Sequence, residues 1–336
     1  MKVIINGAGR IGRCLARRLI TTDGINLCHI NDPYMTIENL RYLIKYDTIY
    51  GQFNGTIKIE KNSLIIGRKK ILFTRHKNLL NNIVKKFDVL IDASGIKQNH
   101  NKILKFKDKS KTKFIITHSF EKADFNLIFG INEGKYIKKK HNIISSSICD
   151  AVAIGPILNL MKEKFNFNNG SILTLHPWLG YQNLVDGPSR SFAYPGEIVD
   201  NFSLGRASTE NLISKTTSCI NALNMVIPNL SDKISAMSIR VPTQIVSSAF
   251  INLNFSNKIK MTNISKEIKR FMKNQKNKIL SVNTDQCTSK DFISNEYSAI
   301  IDNRWTELKN NNLRLLIWYD NEFGYSSRII DFLKII

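Results

Sequence analysis

The chain has 336 residues, 43% of them hydrophobic, which is enough for about two cores at roughly 100 to 200 residues per domain. Its five cysteines form no CxxC or CxxxxH spacing, so no zinc site is readable and a disulfide framework is not expected. The formal net charge of +22 suggests a nucleic-acid partner, but lysines mix with Asn and Ile throughout, which favours a solvated basic surface.

Membrane and export signals are not evident. No apolar stretch reaches the roughly 18 residues that a membrane-spanning helix requires, and the N-terminus contains no apolar signal segment. We therefore expect a cytoplasmic protein without a membrane partner.

The first 30 residues predict a βαβ unit. An apolar strand at 2–5 leads through a glycine turn to a helix with Ile11, Leu15 and Leu19 on one face, and then to a strand at 27–30. Further short apolar strands are predicted at 71–73, 89–91, 114–117 and 142–145. This alternation indicates an α/β architecture, with a doubly wound Rossmann-type parallel sheet that ends near residue 148.

The pattern changes after Cys149. A long helix is predicted at 150–164, and the later strands alternate in polarity, which is typical of an antiparallel sheet with one covered face. These strands are predicted at 172–176, 238–241, 246–255, 278–282, 297–301 and 313–318. Helices are predicted at 209–225, at 264–272 and after Asn321. We therefore expect a second, α+β domain with a mainly antiparallel sheet.

The first turn predicts a dinucleotide site. Residues 7–12 read GAGRIG, a GxGxxG pattern whose glycines permit a tight turn and a close approach of pyrophosphate to the helix N-terminus. Asp32, twenty residues after Gly12, can accept hydrogen bonds from both adenosine ribose hydroxyls and would repel a 2′-phosphate. The cofactor is therefore predicted to be NAD, and the predicted binding residues here are Gly7, Gly9, Arg10, Ile11, Gly12 and Asp32.

Seven segments, in order, resemble the glyceraldehyde-3-phosphate dehydrogenase family. They are INGAGRIGR (5–13), YLIKYDTIYGQF (42–53), SSSIC (145–149), VDGPS (185–189), GRAS (205–208), RVPT (240–243) and WYDNEFGYSSR (318–328). The resemblance spans the chain and implies a homotetrameric, NAD-dependent aldehyde dehydrogenase of glycolysis. It also implies an NAD-binding domain at 1–148, a catalytic domain at 149–320 and a C-terminal helix at 321–336 that packs back on the NAD-binding domain.

Two residues are candidates for the chemistry. Cys149 begins a predicted helix, where the helix dipole favours a thiolate. His176 ends the next strand; beside the sulfur it would form a thiolate–imidazolium pair and exchange a proton during hydride transfer, although the residues alone equally allow a core histidine. The resemblance places the family's nucleophile and acid/base at these positions and implies a Cys149 thioester, released by phosphate or water.

The resemblance implies further cofactor contacts outside the glycine turn. Asn321 matches the residue that holds the nicotinamide amide, with Tyr325 nearby. Arg75 and Thr117 match positions that line the adenine and nicotinamide sides.

The segment around the nucleophile departs from the family. Where the family reads SCTTN, this chain reads ICDAV from Ile148 to Val152, so two hydroxyls are lost and a carboxylate is gained. An ionised Asp150 would repel phosphate and oppose the Cys149 thiolate. Alternatively, Asp150 points away and only complements the helix N-terminus.

The other anion-binding positions are partly kept. Leu179 replaces a threonine that helps to hold the substrate phosphate in the family. Arg240 is retained in RVPT, and Thr217 and Ser218 stand where the family has Thr-Gly. The stretch 190–204 is longer than the resemblance implies.

These features leave three functions open. The first is NAD-dependent oxidation of glyceraldehyde 3-phosphate, with inorganic phosphate as acyl acceptor. The second is oxidation of a different, unphosphorylated aldehyde with hydrolytic release of the thioester. The third is a catalytically silent NAD-binding protein with a basic partner-binding surface. The chain argues against this third function because it retains Cys149, His176, Asn321 and Arg240 together.

Overall fold

The computed structural model describes residues 1–78, 87–106, 111–191 and 193–336. The chain folds into two compact units. The first unit contains Met1–Asn126, Tyr136–Ser147 and Ile329–Ile336, and the second contains Leu127–Lys135 and Ile148–Arg328. No helix among the described residues is long and apolar enough to cross a membrane.

The first unit is built on one sheet. Its described strands are β1 (Lys2–Asn6), β2 (Asn26–Asn31), β3 (Ile57–Glu60), β4 (Ser63–Ile66), β5 (Lys69–Thr74), β6 (Val89–Asp92), β7 (Lys113–Ile116), β8 (Phe125–Asn126) and β9 (Ile143–Ser145). They are ordered β3-β4-β5-β2-β1-β6-β7-β9-β8. Only β3–β4 and β4–β5 pair in an antiparallel sense among these strands. The described helices are α1 (Arg10–Thr21), α2 (Ile37–Lys45) and α3 (Lys97–Leu104). The prediction of a doubly wound Rossmann-type sheet is confirmed.

Helix α1 packs through one face, as its sequence period predicts. Leu15 and Leu19 are fully buried, together with Gly12 and Ala16. The prediction for Ile11 is only partly right, because this residue is half-buried. The buried face is centred on the row through Gly12, Leu15 and Leu19, and Ile11 lies at its edge in the first turn.

The second unit is also built on a single sheet. Its described strands are β10 (Asn169–Pro177), β11 (Ile213–Thr216), β12 (Ile234–Val241), β13 (Ser247–Asn254), β14 (Leu280–Asn283), β15 (Ala299–Lys309) and β16 (Asn312–Tyr319). The order is β11-β12-β10-β13-β16-β15-β14. Parallel pairing joins β10 to β12 and β14 to β15, and the other pairings are antiparallel. The helices are α4 (Cys149–Phe165), α5 (Cys219–Asn224), α6 (Met261–Asn274) and α7 (Phe323–Leu333), whose last residues belong to the first unit.

The alternating pattern of these strands reflects one covered face. In β13, Ala249, Ile251 and Leu253 are fully buried, whereas Phe250 between them is exposed. Successive side chains of a strand point to opposite faces, so alternation predicts which face the helices cover. The predicted α+β unit with a mainly antiparallel sheet is therefore confirmed.

The predicted helix at 209–225 is wrong. Its first half contains β11, which pairs with β12, and only Cys219–Asn224 is helical. Strand β11 gains backbone hydrogen bonds at the sheet edge, and its β-branched residues Ile213 and Thr216 suit a pleated surface. The backbone N–H of Cys219 donates to Thr217 Oγ1 at 3.1 Å, where the short helix begins. Sheet pairing thus overrides the local helical pattern.

The long stretch 190–204 begins as a small hairpin. Arg190 and Ile198 form an antiparallel bridge, and the N–H of Val199 donates to the carbonyl of Ser189 at 2.9 Å. Its base is closed by Gly187, whose N–H donates to the carbonyl of Gly205 at 2.9 Å. The two glycine backbones therefore lie in direct contact.

We expect Gly205→Ala to lower the free energy of unfolding by about 1–3 kcal/mol, because the new Cβ would lie 2.1 Å from the carbonyl oxygen of Gly187. Thermal unfolding followed by circular dichroism measures the effect. Gly180→Ala is the matched control, since a Cβ there meets no atom within 4 Å. Equal unfolding temperatures for both variants would contradict the close packing of the two glycines.

Candidate active site

The first turn of α4 presents two reactive side chains. Ile148 precedes the helix with extended backbone (φ −123°, ψ 158°) and makes no side-chain cap. Cys149, the first helical residue, is half-buried, and Asp150 is buried. The nucleophile candidate therefore lies at a helix N-terminus, beside a carboxylate that belongs to the same turn.

His176 faces this turn from the end of β10. Its Nε2 lies 3.6 Å from Cys149 Sγ. Its Nδ1 lies 2.7 Å from the carbonyl oxygen of Pro177. Because a carbonyl can only accept, Nδ1 carries the hydrogen, and Nε2 of the neutral ring is left as an acceptor that faces the thiol.

Asp150 points toward the sulfur. Its Oδ1 lies 3.4 Å from Cys149 Sγ and 3.9 Å from His176 Nε2. The same oxygen accepts a hydrogen bond of 2.9 Å from the buried hydroxyl of Tyr319, at the end of β16. The alternative in which Asp150 points away from the nucleophile is therefore wrong.

The surroundings of Cys149 and His176 favour their neutral forms. Burial raises the pKa of Cys149 well above its usual value, and the Asp150 carboxylate raises it further. Burial, aided by the charge of Arg240, lowers the pKa of His176 to about 4. The expected thiolate–imidazolium pair is thus disfavoured at neutral pH, because burial opposes both charged forms and the Asp150 carboxylate also opposes the thiolate.

Arg240 lies beside His176 because β10 and β12 pair in parallel with these two residues in register. Its Nη1 donates to the Pro177 carbonyl at 3.3 Å, so one carbonyl orients both side chains. Its buried Nε has no hydrogen-bond partner among the described residues. This N–H can therefore donate to an anion.

Lys215 of β11 adds a second cation to the same environment. Burial and then the charge of Arg240 lower its pKa, whereas Asp150 and Cys149 act in the opposite direction. The sequence pattern did not identify Lys215 or Tyr319. Tyr319 lies inside a quoted family segment, but nothing in that segment shows which side chain reaches Asp150.

The remaining predicted substrate residues lie on loops of the second unit. Leu179 follows β10, half-buried, and its N–H donates to Gln182 Oε1 at 3.0 Å. Thr217 is half-buried, and Ser218, an exposed residue, precedes α5. Within the described ranges, no hydrogen bond joins Leu179, Thr217 or Ser218 to the cluster of Cys149, Asp150 and His176.

The glycine turn of the first unit has the geometry of a dinucleotide site. A Cβ at Gly12 would lie 2.0 Å from the carbonyl oxygen of Gly7, so the helix approaches the turn as closely as its backbone allows. A Cβ at Gly9 would meet no atom within 4 Å, which leaves open space in front of this backbone. The turn therefore fits a pyrophosphate at the N-terminus of α1.

Asp32 lies at the end of β2 beside this turn. Its Oδ2 accepts from the N–H of Ala8 at 2.8 Å, and its Oδ1 accepts from the N–H of Tyr34 at 2.9 Å. These bonds orient the buried carboxylate, and each oxygen keeps a second lone pair for a ribose hydroxyl. The arrangement fits the cofactor role that the sequence predicted.

The other predicted cofactor residues of the first unit lie near the same edge of the sheet. The guanidinium of Arg10 pairs with the carboxylate of Asp47 at 2.6 Å. Arg75 is exposed and donates to the carbonyl of Pro33 at 3.4 Å. Thr117, immediately after β7, donates to the carbonyl of Asp92 at 3.1 Å.

Asn321 and Tyr325 are buried in the second unit. Asn321 Oδ1 is a buried acceptor without a hydrogen-bond partner among the described residues. A buried amide oxygen without a donor is costly in a folded protein, so this atom fits a ligand that supplies an N–H, as a carboxamide does.

Gly9→Ala tests the open space of the turn. We expect it to weaken NADH binding by at least about tenfold, because the methyl group occupies the approach of the pyrophosphate. NADH fluorescence measures the dissociation constant, and the unfolding temperature of the protein without cofactor should not change. Gly134→Ala, equally free of close atoms, is the control. Unchanged affinity in Gly9→Ala would contradict pyrophosphate binding at this turn.

Comparison with known families finds two matches along the chain. A family described as "Glyceraldehyde 3-phosphate dehydrogenase, NAD binding domain" matches residues 1–100, and its counterpart "C-terminal domain" matches residues 148–321. The chain belongs to the glyceraldehyde-3-phosphate dehydrogenase family. It is therefore an oxidoreductase that oxidises an aldehyde with NAD as cofactor.

Curated relatives cover nearly the whole chain. Glyceraldehyde-3-phosphate dehydrogenase 2 of Kluyveromyces marxianus is 30% identical over 339 residues, which is 100% of this chain and 99% of the relative. Glyceraldehyde-3-phosphate dehydrogenase 2 of Bacillus subtilis is 29% identical, covering 99% and 96%. Glyceraldehyde-3-phosphate dehydrogenase 4 of Caenorhabditis elegans is 30% identical, covering 99% and 97%. This family member thus aligns with its relatives almost from end to end.

Proposed function

We propose that Cys149 is the nucleophile and His176 the acid/base in oxidation of an aldehyde through a thioester. The observation that carries this proposal is the 3.6 Å approach of His176 Nε2 to Cys149 Sγ, with Nε2 left as an acceptor by the bond from Nδ1 to Pro177. A neutral imidazole in this orientation can take the thiol proton at the moment of attack.

The protein's residues move the protons as follows. The Cys149 proton passes to His176 Nε2 as sulfur bonds to the aldehyde carbon, and the imidazolium then protonates the new alkoxide to complete a hemithioacetal. His176 takes this hydroxyl proton back while the carbon–oxygen double bond forms and leaves a thioester. NAD, when bound, accepts the hydride that leaves the same carbon. The Asp150 charge, 3.9 Å from Nε2, stabilises the imidazolium that burial disfavours.

Glyceraldehyde 3-phosphate is the proposed substrate, since the relatives carry it in their names. Arg240 supports it, because its buried Nε is available to a phosphate or a carboxylate. Ile148, Leu179, Thr217 and Ser218 are proposed to line the substrate site. For the cofactor, we propose contacts from Gly7, Gly9, Arg10, Ile11, Gly12, Asp32, Arg75, Thr117, Asn321 and Tyr325.

One observation favours a second candidate, which is hydrolytic release of the thioester from a different, unphosphorylated aldehyde. The Asp150 carboxylate lies in contact with Cys149, where an attacking phosphate dianion would be repelled. Water carries no charge and is not repelled. Leu179 also supplies no hydroxyl for a phosphate.

The proposal includes an assembly and a location. We propose that the protein is a cytoplasmic homotetramer that acts in glycolysis. Its proposed domains are an NAD-binding domain at 1–148, a catalytic domain at 149–320 and a C-terminal helix at 321–336. Large apolar side chains of the second unit support the assembly because they are strongly exposed: Leu184, Val185, Ile198, Phe202 and Leu212. Nucleic acid is not a proposed partner.

The deciding experiment is NADH production by the purified protein from phosphorylated and unphosphorylated aldehydes, each with and without inorganic phosphate. Phosphate-dependent turnover of glyceraldehyde 3-phosphate is expected. Phosphate-independent turnover of an unphosphorylated aldehyde would establish the second candidate instead. Both candidate functions would be overturned if no aldehyde gave NADH and all five cysteines were alkylated at equal rates. The protein would then be a catalytically silent NAD-binding protein.

A further inference from the structure

Three donor atoms of different chemical type converge at the N-terminus of α4. Cys149 Sγ lies 3.4 Å from Asp150 Oδ1 and 3.6 Å from His176 Nε2, and these two atoms lie 3.9 Å apart. Asp150 and His176 are buried and Cys149 is half-buried, so packing holds the carboxylate and the imidazole in place. The family pattern has no carboxylate at the position of Asp150, so the third donor distinguishes this chain.

The separations match the edges of a tetrahedral zinc site. Zinc binds sulfur at about 2.3 Å, imidazole nitrogen at about 2.0–2.1 Å and carboxylate oxygen at about 2.0–2.2 Å, and tetrahedral angles then separate the donor atoms by about 3.4–3.6 Å. Both distances from the sulfur fall in this range. Only the distance of 3.9 Å between Nε2 and Oδ1 needs to shorten, by a few tenths of an ångström.

The surroundings orient two of the ligands as metal sites require. His176 donates from Nδ1 to the Pro177 carbonyl, which leaves the Nε2 lone pair directed at the site. Asp150 Oδ1 accepts from the buried Tyr319 hydroxyl. Ligating histidines and carboxylates in proteins usually have such outer partners, which set the tautomer and the direction of the lone pairs.

The charges also favour a divalent cation of borderline softness. A thiolate and a carboxylate together neutralise Zn²⁺, and thiolate with imidazole selects zinc over the hard cations Mg²⁺ and Ca²⁺. Binding replaces the thiol hydrogen of Cys149 with the metal, so one proton leaves to the buffer for each ion bound.

We propose that Cys149, Asp150 and His176 form a Zn²⁺ site with one coordination position open to water, and that occupied protein cannot use Cys149 as a nucleophile. The site follows from the positions of the three donors and does not depend on the catalytic roles proposed above. Zinc and aldehyde therefore compete for the same sulfur.

Titration with Co²⁺, in the absence of aldehyde and NAD, tests the site. We expect one equivalent to produce a thiolate-to-cobalt charge-transfer band and the visible bands of four-coordinate cobalt, and Zn²⁺ to displace them. Cys149→Ser should remove the charge-transfer band. Tyr319→Phe should weaken binding by about 10–100-fold, which is usual for loss of an outer partner.

Asp150→Asn is the decisive variant, and Cys287→Ser is its control, since Cys287 is a half-buried cysteine outside the cluster. Asp150→Asn should lower the cobalt affinity by at least about tenfold, with folding checked by circular dichroism. If this variant does not fold, Tyr319→Phe decides the question. Three outcomes would overturn the site. They are an unchanged cobalt spectrum and affinity in Asp150→Asn, loss of the charge-transfer band in Cys287→Ser, and absence of that band in the wild-type protein.

Alkylation of Cys149 gives an independent readout. Zn²⁺ should slow alkylation of Cys149 by iodoacetamide, and a chelator should restore the rate. Because neither this reaction nor the cobalt titration needs turnover, a protein that oxidises no aldehyde could still bind zinc. Failure of the metal site and failure of the proposed function therefore give different results.

Discussion

Cys149→Ser is expected to lower the rate of NADH formation by roughly a thousandfold or more, since the proposed thioester needs sulfur as nucleophile and leaving group. A serine hydroxyl is a far weaker nucleophile at neutral pH, and the neutral His176 beside it lacks the strength to ionise it. Steady-state NADH fluorescence with saturating NAD measures the rate. The effect should fall on kcat, because the proposed role of the sulfur is in the covalent steps.

Cys287→Ser is the matched control for this substitution. Cys287 is also half-buried in the second unit, but it makes no contact with His176 or Asp150 among the described residues, so its loss should change the rate less than about twofold. Mass spectrometry after a single turnover should find the acyl group on Cys149. A Cys149→Ser variant that keeps more than a tenth of the rate would contradict the thioester mechanism.

Asp150→Thr is expected to make Cys149 markedly more reactive at neutral pH. The carboxylate 3.4 Å from the sulfur raises the pKa of the thiol, so its removal lowers this pKa and increases the thiolate fraction. Each unit by which the pKa of the Cys149 thiol falls gives about ten times more thiolate. A less basic thiolate is, however, intrinsically about threefold less reactive, so the reaction rate of Cys149 rises by about threefold per pKa unit.

The pH profile of Cys149 alkylation by iodoacetamide measures this change. Its midpoint should move to lower pH by at least about one unit. In the presence of aldehyde and NAD, the same variant should also show a lower KM for inorganic phosphate, because a hydroxyl replaces the repelling charge. Asp232→Thr, an exposed aspartate in the turn before β12, is the control and should leave both values unchanged. An unaltered midpoint in Asp150→Thr would mean that the carboxylate does not act on the sulfur.

The elements that the sequence predicted well are those with a strong local period. The βαβ unit and the long helix after Cys149 are present, with ends shifted by one or two residues. The hairpin of β3 and β4 was not predicted, because its strands are only four residues long and give little alternation to read. The error at 209–225 has a different cause, since β11 depends on a partner strand that lies about twenty residues further along the chain.

The sequence by itself determined the family, the NAD cofactor and the identity of Cys149 and His176 as candidates, because these depend on residue types at short spacings within single segments. Only the tertiary structure decided how the site is charged. Asp150, His176, Arg240 and Tyr319 come from four separate elements, and the pKa of each reactive group depends on distances between them and on burial. The Asp150 side chain, on which the proposed zinc site depends, is oriented by the Tyr319 hydroxyl 169 residues away, which no local pattern can reveal.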